Sequence, residues 1–210
     1  MKSRTWKLTR DKYMSLEEVR KLRRSSEDSS LADLAKGRSS GVRVWVVIDL
    51  ALSTGLRVSE IAGLQVQDLS LSGSEPQLRT RGKGDKIRVV TLSKDLKKHL
   101  AEFLSWKKRI GELTSPEAYL FVSKRGEKYS TRALQLLFKR ASRLAGLPAH
   151  FSIHACRHSY GTYLYQKTKD LRLVQDQLGH SSPTVTQIYS HVTPEERIQA
   201  VNGLWENRKN

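Results

Sequence analysis

A mainly α-helical fold with one small antiparallel β-sheet, an α+β arrangement, is what the sequence predicts, and three observations carry that expectation. Apolar residues recur at spacings of three and four in most windows, which lines one face of a helix. Serine, proline and glycine stand where such helices would start and stop. One stretch alone shows two short strand-like runs around a glycine-rich turn.

Residues 1–14 carry Lys2, Arg4, Lys7, Arg10 and Lys12 with little periodicity and read as a basic arm or linker. Ser15 and Glu18 have the spacing in which each side chain satisfies the other's backbone N–H, so a helix begins there and runs to about Arg24. The stretch 24–41, rich in Ser and Gly, is expected to be a surface loop around a brief helical turn. Val44, Val47, Ile48, Ala51 and Leu52 predict a helix closed by Gly55, and another begins near Arg57. Gln77 to Arg81 and Lys86 to Leu92 flank Gly82-Lys83-Gly84-Asp85 as a β-hairpin. Ser93 opens a helix whose apolar face is Leu96, Leu100, Phe103 and Leu104, and Ala118 to Val122 reads as a further short strand. Arg132 to Ala145 is predicted as a helix with Leu134, Leu137, Phe138, Ala141 and Leu144 inside and Arg132, Lys139 and Arg143 on a basic flank. Helices over Ile153 to Gln166, Lys169 to Leu178, Pro183 to His191 and Pro194 to Trp205 complete the expectation.

Lys and Arg number 38 against 21 Asp and Glu, a formal charge of +17 over 210 residues. Nucleic acid, an anionic membrane surface or an acidic protein would each supply the counter-charge, and nucleic acid is the commonest partner of so basic a domain. The longest apolar run, Val44 to Ile48, is far short of the about 20 residues that span a bilayer. The amino terminus lacks the apolar stretch and cleavage site of a secretory signal, so the expected location is cytoplasmic, at the nucleoid if the source is prokaryotic. The single cysteine, Cys156, has no internal disulfide partner and reads as a small buried apolar residue.

No G-x-x-x-x-G-K-[ST] run is present, so Gly82-Lys83-Gly84 is not a nucleotide-phosphate loop. On a helix Cys156 points away from the face shared by His154 and His158, and with no H-E-x-x-H or cysteine pair no metal site is expected. A different series is specific through its order. Arg57 stands in Thr-Gly-Leu-Arg-Val-Ser-Glu, Lys83 at the hairpin tip, His154 and Arg157 in His-Ala-Cys-Arg-His, His180 in Leu-Gly-His, and Tyr189 nine residues beyond. Each alone has an ordinary explanation: a helix-surface arginine, a solvated turn lysine, a core histidine, a half-buried aromatic. Together, in this order and at these intervals, they resemble the tyrosine recombinases, the family of phage integrases and their Xer-type relatives, from about Ser15 to Val192.

That resemblance implies the family's catalytic-domain fold over 15–193 and site-specific recombination of double-stranded DNA through a 3′-phosphotyrosyl intermediate. It implies Tyr189 as nucleophile, Arg57 and Arg157 as a clamp on the non-bridging oxygens, and Lys83 as general acid for the departing 5′-oxygen. His154 matches the group that assists proton removal from the tyrosine, and His180 a donor to a non-bridging oxygen. No cofactor is implied, because the adduct conserves the bond energy and arginines supply the positive charge.

Spacing adds two neighbours: Glu60 lies one helical turn from Arg57, and His158 one turn from His154, where each can orient its partner. For Glu60 the plain alternative is an exposed i,i+3 ion pair. Candidate DNA contacts are Arg81, Lys86 and Arg88 around the hairpin and Arg132, Lys139 and Arg143 on one helix, with a solvated basic face as the ordinary reading of Arg140 and the Lys107-Lys108 pair. Ile198, Val201, Leu204 and Trp205 give the C-terminal helix within 194–210 an apolar stripe that can fold back onto its own core, while the resemblance implies that it docks on a neighbouring protomer in a homotetramer on two DNA sites. Most family members carry an upstream helical domain that completes a clamp on DNA. None is expected in these residues, which read either as an excised catalytic fragment or as a short catalytic-domain-only member; the second would need strong contacts from this domain, from the basic arm or from an accessory DNA-bending or helper protein. Two competing functions stand beside recombination: a catalytically silent DNA-binding or accessory protein, and relaxation of DNA in the manner of type IB topoisomerases.

Overall fold

A computed structural model of the chain describes residues 10–82, 87–123 and 125–179. After a 3-10 turn at Arg10–Lys12, seven α-helices and three strands follow among these residues: α1 (Leu16–Ala35), α2 (Ser40–Thr54), α3 (Val58–Gly63), β1 (Leu69–Ser70), β2 (Gln77–Arg81), β3 (Ile87–Thr91), α4 (Lys94–Arg109), α5 (Thr131–Leu144), α6 (His154–Thr168) and α7 (Leu171–Leu178). The strands form one antiparallel sheet in the order β1-β2-β3. Among the described residues, no helix is long and apolar enough to cross a membrane.

The core is built around α2, which is buried on nearly every side. Val47, Ile48 and Leu50 meet Ile61 of α3, Leu78 of β2, Leu96 and Leu100 of α4 and Phe138 of α5 in one continuous cluster. Two fully buried charges are tied down within it. Asp49 accepts from Arg23 Nη2 at 2.7 Å and lies 2.8 Å from His99 Nδ1, while Lys107 donates to Glu112 at 2.6 Å. Lys107 is therefore not part of a solvated basic face.

The capping box at Ser15 is present, with Ser15 Oγ accepting the Glu18 N–H and Glu18 accepting the Ser15 N–H. The helix it starts continues eleven residues past Arg24, through the stretch expected to be a loop. The physical reason lies in the crossing with α2. Ser26 and Ser30 are buried, the Ser26 hydroxyl donates to the Leu22 carbonyl at 2.8 Å, and a Cβ on Gly41 would stand 2.7 Å from the Ser29 carbonyl oxygen. Small residues there let two backbones approach, so serine serves packing rather than a turn. Asp33, near the end of α1, accepts from the Gly41 N–H and the Ser40 hydroxyl, which caps α2 from its neighbour and holds the Asp33 carboxyl below the usual range.

Three further expectations change. Residues 118–122 make only isolated bridges, Gln65 with Tyr119 and Val122 with Lys128, because their partners are loop segments rather than strands. Leu144 is exposed at the end of α5, beyond the reach of the core. Residues 10–14, expected in a basic arm, are bound to the fold: Met14 is fully buried, its N–H donates to Ser159 Oγ at 2.9 Å, and its carbonyl accepts from the Tyr163 hydroxyl at 2.9 Å.

Candidate active site

Arg57 is placed by the turn that closes α2. Gly55 has φ of 61°, and an added Cβ would lie 2.8 Å from side-chain atoms of both Tyr160 and Leu178. Glycine here both supplies the left-handed backbone and lets α6 and α7 close on the turn. Arg57 is then the N-cap of α3, in extended backbone. Glu60, one turn on, is 4 % exposed. Its Oε2 accepts the Arg57 N–H at 2.6 Å and its Oε1 accepts from Arg57 Nη1 at 2.9 Å. The guanidinium is anchored at its base while the side chain keeps 36 % of its surface open.

Arg157 is 6 % exposed. Its Nη1 donates to the Gly55 carbonyl and its Nη2 to the Leu178 carbonyl, both at 2.7 Å. One guanidinium thus fastens α6 to the turn ahead of Arg57 and to the last turn of α7, using the rigid fork that a lysine lacks. His154 opens α6 one turn earlier and is exposed at the surface. Partial desolvation and then the charges of Arg157 and Arg57 hold its pKa below the usual range. The three side chains therefore share one electrostatic neighbourhood, in which the two guanidiniums favour the neutral imidazole of His154, the form able to accept a proton.

His158 lies one turn along α6. Burial first, then the charges of Arg157, His154 and Lys12, push its pKa down to about 4. It stays neutral in the fold while the unfolded chain takes up a proton near pH 6.5, so this contribution is complete above that pH and shrinks as pH falls towards about 4. One such group tilts stability by at most about 1.4 kcal/mol per pH unit. Denaturant titrations between pH 7.5 and pH 4.5 should show this slope, and His158→Gln should flatten most of it; an unchanged slope would assign the effect elsewhere. Cys156 is buried in the same helix, and burial raises its thiol well above the usual range, so it is inert packing.

Among the predicted DNA contacts, Arg81 is exposed at the end of β2, and Arg132, Lys139 and Arg143 are exposed on α5, with Lys139 Nζ donating to the Ala149 carbonyl at 2.5 Å. Arg88 differs from expectation. Its side chain turns into the protein, donating from Nη2 to Glu60 Oε2 at 2.8 Å and from Nη1 to the Gln177 carbonyl. Lys83, Lys86, His180 and Tyr189, and the helices predicted over 183–191 and 194–205, lie outside the described residues. No group of three or more His, Cys, Asp or Glu that could hold a metal ion occurs among the described residues.

Residues 12–196 match the family model described as the phage integrase family. The tyrosine recombinase XerC of Actinobacillus pleuropneumoniae serotype 7 is 36 % identical over 168 residues, covering 80 % of this chain and 50 % of that protein. XerC of Vibrio campbellii is 34 % identical over 190 residues, covering 90 % of this chain and 56 % of that one. The chain spans about half the length of the curated relatives it matches. Its fold superposes on the XerH site-specific recombinase bound to difH substrate in a pre-cleavage complex with a TM-score of 0.77 at 29 % identity, covering 96 % of this chain and 56 % of that one. The XerA recombinase gives 0.72 at 26 %, covering 90 % and 64 %. With the ordered motifs and the fold in agreement over so much of its length, the chain belongs to the phage integrase family of tyrosine recombinases.

Proposed function

We propose that this chain is the catalytic domain of a site-specific recombinase that cuts and rejoins double-stranded DNA. The observation that carries the reading is the joining of Arg57 and Arg157 through the Gly55 turn, with His154 one turn before Arg157 on α6. Two forked cations held about one turn suit a phosphodiester whose non-bridging oxygens gain charge as it is attacked. In this reading the Tyr189 oxygen attacks phosphorus, His154 receives the phenolic proton, and the bond to the 5′-oxygen breaks as Lys83 gives that oxygen a proton. A 3′-phosphotyrosyl link and a free 5′-hydroxyl result. Attack by the 5′-hydroxyl of another strand reverses these steps and rejoins the DNA, with His180 donating to a non-bridging oxygen throughout.

The exposed cations Arg81, Arg132, Lys139 and Arg143 serve the phosphate backbone in this scheme, and binding falls steeply with salt. Strand exchange places four copies on two DNA sites, with residues 194–210 docking between neighbours and a DNA-bending helper aiding assembly. That XerH is described in complex with a difH substrate supports DNA as the partner.

Covalent trapping tests the proposal. The chain is offered nicked suicide duplexes tiled across the DNA flanking its own gene, and an SDS-resistant adduct with a free 5′-hydroxyl on the released strand is expected. Tyr189→Phe should abolish it. Salt-dependent binding that never yields an adduct would make the chain a DNA-binding regulator, and relaxation of supercoiled DNA without exchange would make it a topoisomerase.

A further inference from the structure

Arg88 lies five residues past Lys83 in the chain, on β3 opposite Thr80 of β2. Strand alternation turns it to the side of the buried Val90 and away from the exposed side of Ile87 and Val89. Its side chain, 12 % exposed, runs across three parts of the fold. Nη2 donates to Glu60 Oε2, on the carboxylate that also holds Arg57. Nη1 donates to the carbonyl of Gln177 in the last turn of α7, where a helix leaves carbonyls without partners and favours a cation. Between these ends the stem passes over Gly179, at φ of 63°. A Cβ there would stand 2.2 Å from Arg88 Cδ and 2.5 Å from Nε. The glycine of Leu-Gly-His is therefore the gap through which Arg88 reaches, as well as the stop of α7. Arg88 Nε is buried without an acceptor, so the link is made against a desolvation penalty that a surface arginine avoids.

We propose that Arg88 is a positioning residue that holds the β2–β3 hairpin, Arg57 and the end of α7 in fixed relation, so that groups on three separate segments meet one scissile phosphate together. The inference rests on the recombinase reading above, in which Lys83, between β2 and β3 in the chain, is the group its loss would misplace most, since Arg57 keeps its own two bonds to Glu60.

Single-turnover cleavage by the full chain is compared on two nicked duplexes, one with the ordinary 5′-oxygen and one with a bridging 5′-sulfur at the scissile phosphate. A thiolate departs without being protonated, so the sulfur duplex does not need the proton donor but still needs the arginines. Arg88→Met keeps the stem and removes the fork. Its rate on the oxygen duplex should fall about tenfold or more, within the range of a displaced general acid, while the sulfur duplex loses much less. Gly179→Ala should move the ratio of the two rates the same way, and Arg88→Lys, which reaches one partner only, should fall between. An unchanged oxygen rate or an equal loss on both duplexes would overturn the proposal. So would a loss of DNA affinity as large as the loss of rate with a shallower salt dependence, since Arg88 would then be a phosphate contact.

Amide exchange gives a readout independent of cleavage. In Arg88→Met the Arg57 N–H, bonded to Glu60, and the last-turn amides of α7 should exchange faster together, and loosening confined to β3 would refute the link. Should the unsubstituted chain form no adduct on either duplex, the recombinase reading fails by itself and the exchange result still decides the role of Arg88.

Discussion

Glu60→Ala should destabilise the fold by about 3–5 kcal/mol, the range found when one member of a buried ion pair is removed. The carboxylate is 1 % exposed and lies between the guanidiniums of Arg57 and Arg88. Without it the largely buried Arg88 guanidinium loses its counter-charge and faces the like charge of Arg57, and the Arg57 N–H loses its acceptor. Urea titrations of both proteins check the value. Glu60→Gln keeps the shape and one acceptor oxygen, so it should lose roughly half as much, while both variants should lose the phosphotyrosyl adduct as Arg57 swings free. Losses within about 1 kcal/mol for both would mean that the pair behaves as an exposed one.

Arg157→Met should follow closely, at about 2–5 kcal/mol, because two buried carbonyls, those of Gly55 and Leu178, lose their donors at once. Arg157→Lys separates the structural from the chemical share. An ammonium has three donors on one centre and reaches one of the two carbonyls, so part of the stability should return while the adduct stays below detection. Denaturant midpoints and trapping on the suicide duplex would be read on the same preparations. A lysine variant equal to the original chain in both would show that the fork is not required.

Much of this fold was legible because its signals are local. Ser15 with Glu18 predicts the start of α1, Gly55 the end of α2, and Ser93 the start of α4, where the Ser93 hydroxyl accepts the Leu96 N–H. What misled were residues whose role depends on a distant partner. The serines of α1 resemble a loop until Gly41 is set against them. Arg88 looks like its basic neighbours around the hairpin, although the two-residue alternation with Val90 already turns it inward. In the site, the order of motifs named Arg57, His154 and Arg157, but not that the guanidinium of Arg157 stitches together the segments carrying the others. That carbonyls of residues 55 and 178 would share one donor is a fact of topology, and no spacing along the chain contains it.

The fastening of Met14 to α6 bears on the order in which the fold assembles. Met14 and Ser159 are 145 residues apart, and Met14 and Tyr163 are 149 apart. Closing so long a loop carries an entropic penalty that contacts already in place help to offset, so this seam is expected to form after the local pairing of α1 with α2 and of β2 with β3. The helix that presents His154 and Arg157 is thereby braced by a contact of long sequence separation. A chain synthesised only through its first half carries both α1 and α2 but neither partner of Met14, because Ser159 and Tyr163 both lie in α6.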